Sequence, residues 1–322
     1  MTAAVETMAW AHEVPWHGLG VQVDPRIGVD GMLEAAGLAW TVSKRALYTQ
    51  GTGRSGGRRI AVPGHMALVR DTDDSVLSVV GSRWHPLQNR DALAFFDSFV
   101  QAGGATMETA GSLMGGRLVW GLARLGADFD AGRGDPVRGY LLLVSPHESG
   151  RAIVAKTTHI RVVCANTLAL ALRDANTEVR IWHSREFDPV AATEALGIAR
   201  EQVVEFAKNA RTLRRLKLSR EEVIRLLQPV YARRSPALAD ATDAELKDAR
   251  TLGPYPVIKK IMEAYDGAPG AEPGTGWGAL AAVTYYSDHI ARRSRDHRLR
   301  SSWLGTESTR KSAVLERLLE AA

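Results

Sequence analysis

Basic, aromatic and amide side chains are concentrated in the segment GSRWHPLQN at 81–89. Its Arg83 can bind a phosphate, and the flat rings of Trp84 and His85 can stack on bases. Gln88 and Asn89 each carry an amide with a donor and an acceptor, the groups that pair with base edges. The segment therefore predicts a nucleic-acid contact. The structural alternative is that Trp84 packs on the core and that Asn89 caps the helix that follows.

A glycine-rich stretch between two apolar runs carries three arginines, Arg54, Arg58 and Arg59. Its letters GTGRSG satisfy the dinucleotide-binding fingerprint, but that motif requires a helix after it, and here a strand-like run follows. We therefore expect the tip of a flexible hairpin whose arginines hold a phosphate backbone, together with Arg117 beside a later Gly-Gly turn. Basic residues that only keep a loop soluble are the alternative.

A second basic stretch, ARRSRDHRLR at 291–300, holds five arginines and ends near Trp303. Arg292, Arg293 and Arg295 begin it, and this density of arginine beside an aromatic side chain favours a phosphate-binding surface. A solvated helix end is the alternative.

Catalysis would have to depend on Cys164, the one cysteine of the chain, with His159 or His183 as its base. A nucleophilic thiolate needs an aligned base and a lowered pKa. Cys164 instead follows the apolar run IRVV, where a buried structural cysteine is expected. One cysteine excludes an internal disulfide framework and a thiolate-rich metal site. The chain also has no GxxxxGK[ST] loop, so we expect no nucleotide cofactor. No metal site is expected either.

The secondary structure expected around these residues changes along the chain. The first part holds short apolar runs separated by turn signals, such as DTDD, MGG and HESG, which predict β-hairpins. Three helices are expected among them. They are DGMLEAAG, capped by Asp30, the amphipathic RDALAFFDSFVQAGG, and CANTLALALRDA at 164–175.

After residue 188 the periodicity becomes helical. A long amphipathic run is followed by a helix that Ser219 and Glu222 open with a capping box. Further helices are predicted near 241–251, 256–266, 277–293 and 306–321. The sequence thus predicts an α+β protein with two domains. The first, at 1–188, packs an antiparallel β-hairpin sheet on helices, and the second, at 189–322, is all helical.

The net charge of +5 is carried by the second part of the chain. Residues 201–322 hold 21 of the 41 lysines and arginines but 16 of the 36 acidic residues, whereas residues 1–200 are neutral. A basic excess confined to one region favours a polyanionic partner. No run approaches the ~20 apolar residues that span a bilayer, and the N-terminus lacks the pattern of a secretory signal. We therefore expect a cytoplasmic protein with no membrane contact.

Five strings along the chain resemble a family of phage/plasmid-like proteins of unknown function. They are PWHGLG, GSRWHPLQN with the following ALAFFDSFV, ETAGSLMGGR, IRVVCANTL and GWGALAAVTYYSDH. The resemblance implies a gene carried by phages, plasmids and integrated elements, but it implies no activity. The order of elements in the first part is also loosely similar to Rad52-type single-strand annealing proteins, whose subunits form rings. Such a likeness of folds does not fix function.

Together these patterns predict a protein that binds nucleic acid, single-stranded DNA above all, and promotes annealing or recombination without a nucleotide cofactor. Because one subunit offers few clustered basic residues, we expect a homo-oligomer, a ring or filament, in which repetition multiplies the contacts. Two other classes stay open. One is a cysteine- or metal-dependent hydrolase or nuclease, and the other is a structural or anti-defence interaction protein.

Overall fold

The computed structural model of the chain describes most of its length. The described residues are 5–12, 19–52, 56–130, 134–161, 166–168, 178–183, 188, 199–232, 241–247, 251–291 and 294–322. Within them the chain is a mixture of strands and helices, so the predicted α+β class is confirmed at that level. Among these residues no helix is both long enough and apolar enough to cross a membrane.

The described strands fall in the first 182 residues. In chain order they are β1 (Val5–Trp10), β2 (Val21–Gln22), β3 (Val42–Gln50), β4 (Arg59–Arg70), β5 (Val76–Gly81), β6 (Ala105–Leu113), β7 (Leu118–Asp130), β8 (Pro136–Pro146), β9 (Ala152–Arg161), β10 (Asn166–Leu168) and β11 (Glu178–Trp182).

The strands form two sheets rather than the one sheet expected from the sequence. The larger has the order β10-β9-β8-β7-β6-β1-β2, with β11 also paired to β9, and the smaller has the order β3-β4-β5. The larger sheet is not purely antiparallel either, because β1 and β2 run parallel, with Ala9 opposite Val21. The expectation was wrong here because it joined strands that are neighbours in sequence, whereas β1 pairs with β6 across about a hundred residues.

The described helices lie in two groups. The first comprises α1 (Val29–Ala35), α2 (Asn89–Leu93) and α3 (Asp97–Gln101), with a 3-10 turn at Ala94–Phe96 between the last two. The second comprises α4 (Ala199–Arg215), α5 (Arg220–Tyr231), α6 (Asp243–Lys247), α7 (Pro256–Gly267), α8 (Gly276–Tyr285), α9 (Arg295–Leu304) and α10 (Thr306–Glu320), with a π-helical turn at Tyr286–Ile290 after α8. Helices are thus the C-terminal elements, in rough agreement with the predicted second part.

The chain divides into two compact units that interleave along the sequence. The first unit is Met1–Gly126, Leu141–Lys156 and Glu178–Gly197, and the second is Ala127–Tyr140, Thr157–Thr177 and Ile198–Ala322. Two segments that precede residue 188 therefore belong to the second unit, where the sequence suggests a single boundary.

The core of the first unit forms where the helices after β5 meet the β-sheet. Phe95 and Phe96 are fully buried, and their rings meet edge to face with centroids 5.2 Å apart. Gly121 on β7 leaves room for the Phe96 ring, because a Cβ atom at Gly121 would lie 2.6 Å from that ring. This close approach requires glycine at that position.

The second unit contains a buried ion pair that links its last helices. Lys311 of α10 is 2% exposed, and its Nζ donates hydrogen bonds to Asp288 Oδ1 at 3.2 Å and to Ser302 Oγ at 2.7 Å. The Ser302 hydroxyl in turn donates to Asp288. Asp288 lies in the π-helical turn and Ser302 in α9, so three helical segments meet at one ammonium group.

Candidate nucleic-acid interface

The turn that carries Arg83 and Trp84 is built from local hydrogen bonds. The Trp84 N–H donates to the Gly81 carbonyl at 3.0 Å, and the Ser82 N–H donates to the Gly64 carbonyl at 3.0 Å. Gly64 belongs to an irregular part of β4, where its φ of +72° lies in the left-handed region that favours glycine. The turn after β5 is thereby fixed beside a bend in β4.

His183, the residue directly after β11, holds the other end of this turn. The His85 N–H donates to the His183 carbonyl at 2.6 Å, and the His183 imidazole, through Nδ1, donates to the His85 carbonyl at 3.1 Å. The ring of His183 also stacks on the indole of Trp84, with centroids 4.0 Å apart and planes inclined by 22°. His183, proposed above as a catalytic base, is thus used in the structure to position Trp84 and His85.

These contacts shape a cleft with a volume of about 920 Å³ in the first unit. Arg83 and His85 are exposed, and Trp84 is half-buried. A guanidinium, an indole and an imidazole therefore face one cavity, a combination able to bind a phosphate and stack on a base. The lining residues are Gly64, Gly81, Ser82, Arg83, Trp84 and His85.

The predicted role of Gln88 and Asn89 as readers of base edges does not agree with their positions. The Gln88 amide accepts from the Val42 N–H at 2.8 Å and donates to the Val42 carbonyl at 3.0 Å. Asn89 is 2% exposed, and its Nδ2 donates to the carbonyls of Leu38 and Trp40 at 3.0 and 3.2 Å. Both amides satisfy buried or half-buried backbone groups, so we correct their assignment from base recognition to anchoring the segment.

Asn89 also fixes His147, a buried histidine that the sequence does not single out. Asn89 Oδ1 accepts a hydrogen bond from His147 Nε2 at 3.1 Å, and His147 is fully buried. Burial, with a smaller contribution from His183, lowers the pKa of His147 to about 3. Burial also lowers the pKa of His183 to about 4, although the carbonyls of His85 and Pro146 oppose that shift. Both imidazoles are therefore neutral at pH 7.

The two depressed histidine pKa values predict a loss of stability in mild acid. In the unfolded chain both groups take up a proton near pH 6.5, whereas in the folded protein they resist it. The unfolded state therefore binds more protons below pH 6.5, and stability falls as the pH drops toward about 4. The two histidines together should lower the free energy of unfolding by about 2–3 kcal/mol for each unit by which the pH falls between pH 6 and pH 4.5.

Urea unfolding at a series of pH values measures this loss. The His183→Gln variant should show a slope smaller by about 1.4 kcal/mol per pH unit, because one titrating group is gone. Equal slopes for wild type and His183→Gln would contradict the assignment.

Arg58 lies between β3 and β4, as expected, and Arg59 is the first residue of β4. The Gly51 N–H donates to the Arg58 carbonyl at 2.8 Å, and Arg59 pairs with Gln50 of β3. Arg58 and Arg59 are exposed. Arg54 lies outside the described residues. At ~3.3 Å per residue, Arg59 lies up to about 17 Å along the strand from Gly64.

Arg117 lies at the turn between β6 and β7, where the glycine-rich sequence places it. It is exposed, and its Nε donates to the Met114 carbonyl at 3.1 Å. Its own carbonyl accepts from the His147 N–H at 2.8 Å. The backbone of Arg117 therefore contacts the buried histidine, while its guanidinium stays at the surface.

The remaining candidates are described in part or not at all. Arg292, Arg293 and Cys164 lie outside the described residues, and only the backbones of Arg295 and His159 are described. The predicted helix at 164–175 is wrong where it is described, because residues 166–168 form β10. That strand pairs with β9, Leu168 opposite His159. Among the described residues, no three His, Cys, Asp or Glu side chains lie close enough together to hold a metal ion.

Gly64 lines the cleft, although no site residue was expected at that position. The signal that could have identified it is the dipeptide Pro63-Gly64 inside an apolar run, since such a pair interrupts a regular strand. His147 carries no comparable signal, because it follows β8 in what reads as an ordinary hairpin turn.

Comparison with known proteins identifies a family and no function. No curated protein and no solved structure shows significant similarity to the chain. The sequence model of one family, DUF932, described as a domain of unknown function, matches residues 76–303. The match contains the turn with Arg83, Trp84 and His85, and it contains His183. Because it covers more than two thirds of the 322 residues, the chain belongs to the DUF932 family.

Proposed function

We propose that the protein binds single-stranded nucleic acid, DNA above all, in the cleft of the first unit. The observation that carries this proposal is the convergence of Arg83, Trp84 and His85 on one cavity of about 920 Å³. Proteins that bind single strands combine cationic side chains for the backbone with aromatic faces for the bases. The turn after β5 supplies both within three consecutive residues.

Arg83 and Trp84 suit different parts of a nucleotide. Arg83 is exposed and forms no ion pair with a described residue, so its guanidinium is available to a phosphate. One face of the Trp84 indole rests on the neutral His183 ring. A base that stacks on the other face would extend an existing stack, which lowers the conformational entropy lost on binding.

The hairpin formed by β3 and β4 provides a second contact for the same strand. Arg58 and Arg59 lie at its end, and Tyr48 on β3 is 53% exposed. A single strand that enters the cleft would reach these arginines after a few nucleotides. Phosphate contacts of this kind add affinity without sequence preference.

In this proposal the protein promotes annealing or recombination on phages, plasmids or integrated elements, as its resemblance to phage/plasmid-like proteins suggests. It would act as a homo-oligomer, a ring or filament, because repeated clefts raise the effective concentration of weak contacts. No nucleotide cofactor takes part in the proposed reaction.

Replacing Arg58 and Arg59 together by alanine should weaken binding of all single-stranded sequences about equally. It should also reduce the slope of log affinity against log salt by about 0.7 for each lost phosphate contact. Fluorescence anisotropy of a labelled oligothymidylate at several salt concentrations measures both effects.

The matched control removes the same charge from the other unit. Lys259 and Lys260 are exposed on α7, and replacing both by alanine should leave the slope unchanged. An unchanged salt slope in the arginine variant would show that the hairpin is not part of the interface. A wild-type protein that does not bind oligothymidylate at low salt would overturn the proposed function as a whole.

A further inference from the structure

Trp182 differs from the other described tryptophans in its exposure to solvent. Its side chain is 56% exposed, whereas Trp10, Trp40, Trp120 and Trp277 are at most 7% exposed. Trp84 and Trp303 are half-buried. A tryptophan in water leaves a large apolar ring uncovered, and exposed indoles are enriched at binding surfaces.

The position of Trp182 connects it to the cleft. It ends β11, where it pairs with Ala152 of β9. The next residue is His183, which stacks on Trp84 and hydrogen-bonds to both the N–H and the carbonyl of His85. Consecutive Cα atoms are 3.8 Å apart across a trans peptide. Trp182 is therefore bonded directly to His183, the residue that fixes the positions of Trp84 and His85 in the cleft.

Arg180 lies two residues before Trp182 on the same strand. Side chains at alternate positions of a strand project from the same face, and both Arg180 and Trp182 are exposed, whereas Val179 and Ile181 are half-buried. Among the described strands, β11 pairs with β9 alone. The face of β11 that carries Arg180 and Trp182 therefore presents a cation and an aromatic ring about 7 Å apart along the strand.

We propose that this face of β11 is a further nucleic-acid contact, in which Trp182 stacks on a base and Arg180 binds a phosphate. The inference rests on the proposed function and extends it. A longer single strand bound in the cleft would make this contact in addition to the stack on Trp84. Stacking on an indole accepts any base, so the contact would add affinity without sequence preference.

The test compares Trp182→Ala, Trp182→Phe and Arg180→Ala for binding of labelled oligothymidylate. Trp182→Ala should weaken binding by about five- to a hundredfold with an unchanged salt slope, because stacking is lost and no charge is removed. Trp182→Phe should retain most of the affinity. Arg180→Ala should reduce the salt slope by about 0.7. Retention on heparin, a polyanion without bases, should be the same for wild type and Trp182→Ala.

Val21, which is 60% exposed on β2, gives a matched apolar control, and Val21→Ala should bind like wild type. If Trp84→Ala weakens binding while Trp182→Ala does not, the inference about β11 fails and the proposed function stands. If wild type does not bind oligothymidylate, the proposed function fails first. Loss of self-association in Trp182→Ala, measured by sedimentation with nucleic-acid binding intact, would make β11 a protein contact and overturn the inference.

Discussion

Replacing Lys311 by methionine should lower the free energy of unfolding by about 3–5 kcal/mol. The ammonium group is buried and donates to both Asp288 and Ser302. Methionine fills a similar volume but removes the ammonium group that neutralises the buried Asp288 carboxylate. A buried charge that loses its partner is among the most destabilising changes a single substitution can make. Urea unfolding monitored by circular dichroism measures the loss.

A double variant separates the missing charge from the missing packing. Asp288→Leu combined with Lys311→Met removes both charges, so it should be less destabilised than Lys311→Met alone. Lys260→Met on the exposed face of α7 is the matched control and should change stability by less than about 0.5 kcal/mol. A Lys311→Met protein as stable as wild type would show that the ion pair does not hold these helices together.

Asn89→Leu should destabilise the protein by about 3–5 kcal/mol, since each buried polar group left unsatisfied costs about 1–3 kcal/mol. The substitution keeps the branching at Cγ, but it removes the partner of the Leu38 and Trp40 carbonyls and of His147 Nε2. Thermal or urea unfolding measures the effect. A loss below about 1 kcal/mol would mean that Asn89 does not anchor the segment.

Arg83→Ala provides the contrast to Asn89→Leu within the same segment. Because Arg83 is exposed and forms no ion pair with a described residue, its loss should leave stability within about 0.5 kcal/mol of wild type. It should nevertheless weaken oligothymidylate binding and reduce its salt dependence. The two variants together separate the part of the segment that holds the fold from the part that faces the cleft.

Features that depend on neighbouring residues could be predicted from the sequence. Ser219 and Glu222 form the expected capping box at the start of α5, with both reciprocal hydrogen bonds present. Gly37, with a φ of +65°, follows α1 where a helix stop is expected. Asp30 was the wrong cap, because α1 begins at Val29 after Gly28, and Asp30 lies in its first turn. Capping and turn chemistry act over a few residues, which is why such features were predictable to within about two residues.

Features that depend on distant residues could not be predicted. The segment GSRWHPLQN was identified, but its division into a surface half and a buried half was not. That division depends on Leu38, Trp40 and His147, which lie about 50–60 residues away. The predicted helix at 164–175 failed for the same reason, because pairing with β9 outweighs local helix propensity at 166–168.

Synthesis of the chain separates in time the residues that shape the cleft. His85 and His183 are 98 positions apart. At about 5–20 residues per second, His183 is added on the order of 5–20 s after His85. During that interval Trp84 lacks the ring on which it stacks, although β4 and β5 are already available to pair. A nascent chain halted before β11 should therefore expose the Trp84 indole to water, and its emission should shift to shorter wavelength only after His183 has been added.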